Sequence, residues 1–502
     1  MSGPTSSTSA PAAPPAAGPA RSDRWWRVGL PLVCGGILAL MPTPAGLTPG
    51  AWYYFALFVT VLIGLITEPI PATAVAFIGI TTAAVLGLPF TAAQRANPSF
   101  QLPAEAVKWA LAGFSNGTVW LIFAAFVFAM GYEKTGLGRR LALIMVKALG
   151  GRTLGLGYAV AFSDLVLSPF TPSNTARSAG TVYPVIRNIP ELYGSQPGPT
   201  ARRIGAYLMY VAFATTCVTS SMFITALAPN LLILEMVKKA TGVEVTWGEW
   251  ALGFLPVGGL LVLTLPWILY KFYPPEIRTS AEVPQWAEQQ LKTMGRVTRR
   301  ELTMAALALV ALSLWIFGGN FIDATLVAIG GVSLMLVTGV VSWDEITGNK
   351  PAWNVLAWFA TLVVLADGLN RVGFVGWIGK WTAAALSGYP PLVVMTLLVA
   401  LFFLIHYMFA GLTAHTTAVL PVVLAAGLSV PGLPVKTFIM LLGYCLGIMG
   451  ILTPFATGPA PLYYGCGFIE RRDFWRLGFL CGMLFLGLML LICTPWLGIL
   501  NR

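Results

Sequence analysis

Charged side chains and metal-binding side chains are both scarce in this sequence. Of its 502 residues only 10% are charged, whereas 57% are hydrophobic and the mean hydropathy is +0.78. This composition excludes a water-soluble surface and predicts an all-α polytopic membrane protein. The sequence contains only two histidines, His406 and His415, so it does not predict a zinc site.

The six cysteines show no spacing typical of metal ligands. All of them lie in apolar surroundings, where a thiol packs as a small hydrophobic side chain. We therefore expect neither a metal nor a cofactor. The cysteines are Cys34, Cys217, Cys445, Cys466, Cys481 and Cys493.

Long apolar segments recur from residue 28 to the C-terminus. A helix needs about 20 apolar residues to cross a bilayer, and the sequence predicts about 11 such crossings plus two interrupted, re-entrant hairpins. Two of the crossings are broken helices. The others lie near residues 28–43, 50–67, 71–89, 117–132, 250–271, 302–318, 322–341, 353–369 and 476–498.

The chain divides into a tail, two halves and a linker. Residues 1–20 are rich in Pro, Ala and Ser and have too little apolar surface to fold, so we expect a disordered N-terminal tail. The first half is 28–271, with a hairpin at 153–187 and a broken helix at 204–238. A cytoplasmic linker follows at 274–300. The second half is 302–498, with a hairpin at 390–427 and a broken helix at 435–468.

Basic residues are concentrated in some of the short loops. If the N-terminus with Arg21, Arg24 and Arg27 is cytoplasmic, most basic loops fall on the cytoplasmic side, as the positive-inside rule requires. This asymmetry accounts for the net charge of +11, so we expect no nucleic-acid partner. The predicted location is the inner, or plasma, membrane.

The two halves look related. In each half an apolar span precedes an interrupted hairpin, and a helix broken at a Pro/Gly-rich point follows. With mirrored topology this order indicates an inverted repeat, which is typical of secondary transporters with a substrate site near the bilayer midplane.

Polar residues concentrate at the interruptions, which are allowed at membrane depth only where protein or a water-filled cavity satisfies the backbone. Ser173, Asn174 and Thr175 can cap a helix whose N-terminus is suited to bind an anion. The matching stretch of the second hairpin is Gly411, Leu412 and Thr413. The broken helices supply Thr225, Pro229 and Asn230 in the first half, and Thr457, Gly458 and Pro459 in the second.

These motifs carry a family resemblance over nearly the whole chain after the tail. "PSNTAR", "SSMFITALAPN", "GLTAHTTAVLP" and "ATGPAPLYYGCG" resemble the divalent anion/sodium symporter family. Within it they are similar to the branch of bacterial citrate/succinate and tartrate/succinate antiporters and plastid dicarboxylate translocators. The resemblance implies a homodimer in which an elevator-type transport domain moves against a scaffold, and hairpin tips that hold dicarboxylate or tricarboxylate substrates.

By position the resemblance carries substrate binding onto the two tips and onto Pro459. The second tip departs from the sodium-coupled pattern, because Gly411 lacks a hydroxyl and Leu412 lacks an amide. This departure weakens the case for a second sodium site, whereas the intact first tip at Ser173 and Asn174 keeps a sodium site open there.

Arg177 and His415 each follow the third residue of a tip by two positions. A cation in the first turn of a helix opposes the helix dipole, and a charge at membrane depth is costly. Our hypothesis is that both residues supply fixed positive charge in place of sodium and neutralise a dicarboxylate. Arg177 could instead pair with Asp164 inside the same hairpin, and His415 could be a neutral core histidine.

The predicted function is therefore antiport of dicarboxylates or tricarboxylates. A sodium-coupled dicarboxylate symporter is the nearest alternative. An intramembrane enzyme is a remote one, because Ser173 has only His415 as a plausible base. The paired hairpins and broken helices disfavour a channel.

Overall fold

The computed structural model describes residues 21–319, 321–386 and 388–501, with side chains from residue 25 onward. The tail predicted at 1–20 lies outside the described residues. Within the described ranges all regular structure is helical, apart from one isolated antiparallel bridge between Arg152 and Thr279. The all-α prediction is confirmed.

Helices of the first half include short elements that the sequence did not predict. The α-helices are Arg21–Leu40, Pro49–Thr67, Ala72–Val85, Ala92–Arg95, Leu102–Leu111, Gly117–Thr135, Leu137–Leu149, Thr153–Leu167, Tyr183–Ile186, Gly205–Met222, Ala228–Thr241 and Trp247–Phe272. A π-helix covers Thr175–Val182, and 3-10 turns cover Ala112–Ser115, Ser168–Phe170, Pro190–Tyr193, Ala201–Arg203 and Ile224–Ala226.

The second half repeats the order of hairpin, broken helix and long apolar helix. Its α-helices, with the one in the linker, are Glu282–Met294, Arg299–Phe317, Ala324–Val337, Trp343–Gly348, Lys350–Arg371, Phe374–Leu386, Pro391–Leu404, Leu412–Leu428, Val435–Ile448, Ala460–Gly465, Arg471–Leu488 and Thr494–Leu500. Ile405–Met408 and Met449–Ile451 are 3-10 turns, and Met489–Cys493 is π-helical.

The described residues contain seven helices long and apolar enough to cross a membrane, or eight if the bent pair Leu102–Ser115 and Gly117–Thr135 forms one span. Shorter apolar helices such as Ala72–Val85 and Ala324–Val337 accompany them. The predicted number of about 11 crossings, and the re-entry of the hairpins from the membrane surface, stay predictions.

The helix Arg299–Phe317 illustrates why these helices require a bilayer. Its buried face carries small and large apolar residues spaced three or four positions apart: Met304, Ala308, Ala311 and Trp315. Its opposite face is also apolar, and the side chains there are exposed: Leu302, Leu309, Val310 and Phe317. A helix that is apolar on both faces is stable only when lipid covers the exposed one.

The first hairpin runs from Thr153 to Ile186. Its first helix ends where Pro169 and Pro172 interrupt the backbone, because proline removes a hydrogen-bond donor and blocks the preceding turn. After the tip at 171–174 the chain turns back, so that Arg177 of the returning limb contacts Asp164 of the first.

The second hairpin runs from Pro391 to Leu428 with its tip at 409–411. Gly411 adopts φ +149°, a conformation that side chains of L-residues rarely adopt. The chain reverses there and brings the ring of His415 to 4.4 Å from that of Phe402.

Two helices are interrupted inside the regions 204–238 and 435–468. The first stops at Met222 and resumes at Ala228, and Pro229 stands in the first turn of the resumed helix. Asn230 bridges the gap, since its side-chain amide donates to the carbonyls of Ser220 (2.8 Å) and Phe223 (3.1 Å). The second stops after Ile451 and resumes at Ala460.

Several residues of the predicted basic loops make ion pairs with distant parts of the chain. Arg140 makes a buried ion pair with Glu301 at 2.6 Å, and Arg202 lies 3.8 Å from Asp473. The hydrogen bond from Lys134 lowers the pKa of the Glu345 carboxyl to about 2. The linker predicted at 274–300 contributes the helix Glu282–Met294, which packs against Leu137–Leu149.

Candidate substrate site

The first hairpin tip contacts the second broken helix, although the two are far apart in sequence. The side-chain amide of Asn174, which is 5% exposed, donates to the Thr457 hydroxyl at 2.8 Å. Ser173 is half-buried, and its hydroxyl accepts from the backbone N–H of Ala176 at 3.2 Å. These contacts bring together the Ser-Asn pair and Thr457, which the sequence predicted to share a site.

Thr175 and Gly458 mark the closest approach of these two elements. A Cβ atom on Gly458 would lie 1.9 Å from the Thr175 hydroxyl oxygen, so only glycine allows this approach. Both residues remain exposed, whereas the adjacent Pro459 is buried. Thr175 and the backbone of Gly458 are therefore accessible at the surface of this contact.

The same tip is joined to the first broken helix. The backbone N–H of Ala228 donates to the Pro172 carbonyl at 2.8 Å. The hydroxyl of Thr225 donates to the Pro169 carbonyl and accepts from the indole of Trp247 at 3.1 Å. Thr225 therefore supports the tip from behind and its hydroxyl is fully engaged by protein.

Arg177 is completely buried behind the tip and ties it to the first broken helix. Its Nε lies 3.1 Å from a carboxylate oxygen of Asp164. Its terminal nitrogens donate to oxygens of the tip, the break and the helix before the break: Thr171 O (3.0 Å), Ala226 O (2.9 Å), Thr216 Oγ1 (3.3 Å), Thr219 Oγ1 (3.3 Å) and Ser220 Oγ (3.0 Å).

The internal ion pair weighed for Arg177 is therefore present. Asp164 balances the guanidinium charge within the hairpin, so Arg177 does not offer an unpaired positive charge to a ligand. Sequence reasoning missed the hydroxyl residues Thr216, Thr219 and Ser220, which complete this cluster. A signal for them existed, because "TTCVTSS" places many hydroxyls in an otherwise apolar helix.

The second tip is organised differently from the first. Leu412 is buried and Thr413 is half-buried, while Thr416 donates back to the Leu412 carbonyl at 2.8 Å. In the part of the chain that the structure describes, no hydrogen bond joins the side chain of Leu412 or Thr413 to the first tip. The structure thus joins the first tip to both helix breaks by hydrogen bonds, whereas among the described residues the side chains of Leu412 and Thr413 make no such bond to the first tip.

His415 lies in an aromatic enclosure behind the second tip. Its ring centroid is 5.1 Å from that of Phe409 and 5.0 Å from that of His406, besides the contact with Phe402. Neither ring nitrogen of His415 has a hydrogen-bond partner among the described residues. His406 differs, because its Nε2 lies 2.9 Å from the carbonyl of Ala456, one residue before Thr457.

Comparisons with known proteins identify the family and the fold. A family model described as the sodium:sulfate symporter transmembrane region matches residues 22–501. The L-tartrate/succinate antiporters of Escherichia coli K12 and Shigella flexneri are each 50% identical over 479 residues, covering 95% of this chain and 98% of theirs. The solved YdaH transporter of Alcanivorax borkumensis shares the fold, with a TM-score of 0.56 at 18% identity over 86% of this chain and 99% of that one.

The fold, the apolar helices and these matches define an integral membrane transporter and not an enzyme. The chain belongs to the sodium:sulfate symporter family, that is, the divalent anion/sodium symporters. The resemblance found in the sequence motifs is confirmed.

Proposed function

We propose that this protein exchanges dicarboxylates of the tartrate and succinate type across the bacterial inner membrane, without sodium. The half-identical relatives named L-tartrate/succinate antiporters support the substrate class and the antiport. The proposed site is the surface formed by Ser173, Asn174 and Thr175 with Gly458 and Pro459, closed by the second tip. Hydroxyls, an amide and free N–H groups at helix starts are suited to bind carboxylates.

The observation that carries the sodium independence is the position of Arg177. Backbone carbonyls at hairpin tips and helix breaks, together with hydroxyl oxygens, are the ligands that sodium uses in broken-helix transporters. Here the Arg177 guanidinium already takes the place of a sodium ion, since it donates to Thr171 O, Ala226 O and Thr216 Oγ1. A tethered cation cannot enter and leave during a transport cycle, so sodium cannot be coupled there.

The paired Asp164 changes the charge-compensation hypothesis but does not end it. Arg177 assembles the first tip in place of sodium, and Asp164 balances it. The buried aromatic enclosure of His415 favours the neutral imidazole, so the fixed-cation role that the sequence suggested for His415 is replaced by that of a neutral core histidine. With no dianion bound, the positive ends of the helix starts would be unpaired at membrane depth, which raises the cost of moving the empty site.

We further propose an elevator-type movement within a homodimer. The hairpins, the broken helices and the helices Trp247–Phe272 and Arg471–Leu488 pack on one another and form the proposed transport group. The helices Gly117–Thr135, Ala324–Val337 and Lys350–Arg371 pack together in the proposed scaffold group. The concentration of Lys and Arg in some of the short loops supports a cytoplasmic N-terminus.

Counterflow in proteoliposomes tests this function. Purified protein should take up labelled succinate when unlabelled L-tartrate or succinate is inside, at equal rates in sodium and in choline buffer. Vesicles loaded with buffer alone should take up little. A panel with malate, 2-oxoglutarate and citrate identifies the preferred substrates. Sodium-driven uptake into empty vesicles would instead establish the symporter alternative.

A further inference from the structure

Glu235 is a buried acid that the proposed substrate site does not use. It lies in the resumed part of the first broken helix, Ala228–Thr241, and is 7% exposed. Its two carboxylate oxygens accept hydrogen bonds from a neighbouring helix, one from the Asn116 amide at 2.6 Å and one from the Thr118 hydroxyl at 2.9 Å.

The partners of Glu235 stand at a helix start. Asn116 caps the helix Gly117–Thr135, because its side-chain oxygen accepts from the backbone N–H of Val119 at 3.2 Å. The positive end of the helix dipole therefore faces the carboxylate, and hydrogen bonds to an ionised acceptor are stronger than neutral ones. An amide and a hydroxyl at a helix start are also the groups that the first hairpin tip offers to a substrate carboxylate.

This contact crosses from one packed group of helices to the other. Glu235 belongs to the proposed transport group, whereas Asn116 and Thr118 belong to the proposed scaffold group. A cavity of about 270 Å³ opens beside the contact, lined among others by Thr118, Glu235, Trp247 and Asp323. Glu235 thus makes a polar contact between the two groups at the edge of an open cavity.

Glu235 also has a partner that would travel with it. The ammonium of Lys239, one turn further along the same helix, lies 3.9 Å from a carboxylate oxygen of Glu235. Breaking a buried ionic contact is costly mainly because it strands a charge. Since Lys239 remains at hand, Glu235 can leave Asn116 and Thr118 without becoming an uncompensated charge.

We propose that Glu235 is a reversible latch between the moving and the static helices. In the conformation described here it is closed on Asn116 and Thr118, and it opens once in each transport cycle when the transport group slides. The inference rests on the proposed exchange by an elevator-type movement, and adds the contact that must break.

A reversible cross-link tests the latch. The full chain carries Thr118→Cys and Glu235→Cys, and its partly exposed Cys34 and Cys466 are replaced by alanine. A bifunctional methanethiosulfonate reagent then bridges the two new cysteines in proteoliposomes. Succinate counterflow should fall at least tenfold and return with reductant. The matched control is Lys134→Cys with Glu345→Cys, a 2.6 Å ion pair in which Lys134 lies near the other end of the same scaffold helix. Its cross-link should change counterflow less than twofold.

A single variant gives an independent readout. Thr118→Cys should react slowly with a membrane-impermeant maleimide at rest, and at least threefold faster when succinate on both sides drives turnover. Unchanged labelling, or a cross-linked protein that exchanges at the uncross-linked rate, would refute the latch. Absence of counterflow in the unmodified protein would refute the proposed function instead, so the two failures are distinguishable.

Discussion

Asn174 and Thr457 stand 283 positions apart in the chain and share a 2.8 Å hydrogen bond between amide and hydroxyl. Each belongs to a different half, so this bond is where the two halves meet at the proposed site. The amide is fixed in one orientation by this acceptor, which keeps its oxygen free to face away from Thr457.

Removing the Thr457 hydroxyl, which accepts the hydrogen bond of Asn174, should weaken substrate binding at the first tip without abolishing it. For Thr457→Val we expect the KM for succinate counterflow to rise about fivefold, because a typical net hydrogen bond contributes about 1 kcal/mol. The matched control is Thr264→Val, whose hydroxyl bonds only to Leu260 of its own helix on an exposed face. An unchanged KM in Thr457→Val would show that Asn174 needs no support.

The buried pair of Arg177 and Asp164 should behave as a unit. Removing one partner strands the other charge, at a cost of about 3–5 kcal/mol. We expect Arg177→Gln and Asp164→Asn each to lower the melting temperature in detergent strongly, and the double variant to be more stable than the Arg177→Gln single variant.

Counterflow measurements distinguish the contribution of this pair to stability from the role of Arg177 in place of sodium. The double variant should still lack sodium-independent counterflow, because no cation joins Thr171 to Ala226. Arg187→Gln, at an exposed arginine ten positions further along, is the control and should exchange normally. Wild-type exchange in the double variant would contradict the cation role of Arg177.

Introducing a serine at position 411 should impair transport by straining the backbone of the second tip. Gly411 adopts φ +149°, and a side chain held in such a region costs about 1–3 kcal/mol. We expect Gly411→Ser to reduce counterflow at least fivefold and to leave it independent of sodium. Gly376→Ser, at a helix position with open space and ordinary φ, is the control. Faster transport in sodium would show that the glycine alone had removed a sodium site.

The contact of Gly458 with Thr175 predicts a specific rescue. In Gly458→Ala the new methyl group would collide with the Thr175 hydroxyl, so counterflow should fall at least tenfold. Adding Thr175→Ala removes the obstructing atoms and should recover more activity than either change alone predicts, as measured in a double-mutant cycle. Gly465→Ala, with open space around its Cβ position, serves as control. Strict additivity would mean that the two residues do not touch.

The predictions of the breaks and of the first tip rest on local chemistry. Pro169 and Pro172 stand at an interruption and Pro229 stands in the first turn after one, whereas Pro256 and Pro266 lie inside the continuous helix Trp247–Phe272. Proline therefore indicates a break only together with polar residues that can cap the next helix, such as Ser-Asn-Thr. The helix Glu282–Met294 was not predicted within the linker, because its stability depends on packing against Leu137–Leu149 and its own sequence contains a proline.

Long-range contacts outside the family motifs were beyond sequence reasoning. Asp164 was recognised as a partner for Arg177 because both lie in one hairpin. The contact of Glu235 with Asn116 spans 119 positions, and a single sequence carries no pattern that joins them. The aromatic enclosure of His415 depends in the same way on the tertiary packing of a whole hairpin.

The ion pair of the first hairpin also affects how the protein is made. Asp164 and Arg177 are only 13 positions apart, so both leave the ribosome within the same short stretch of nascent chain. A single charge at the centre of the membrane costs about 2.5–3.5 kcal/mol during insertion by the translocon. The opposite charges can neutralise each other before the second half has been translated. This hairpin can therefore insert into the lipid as a neutral unit before the helices that later pack on it have been made.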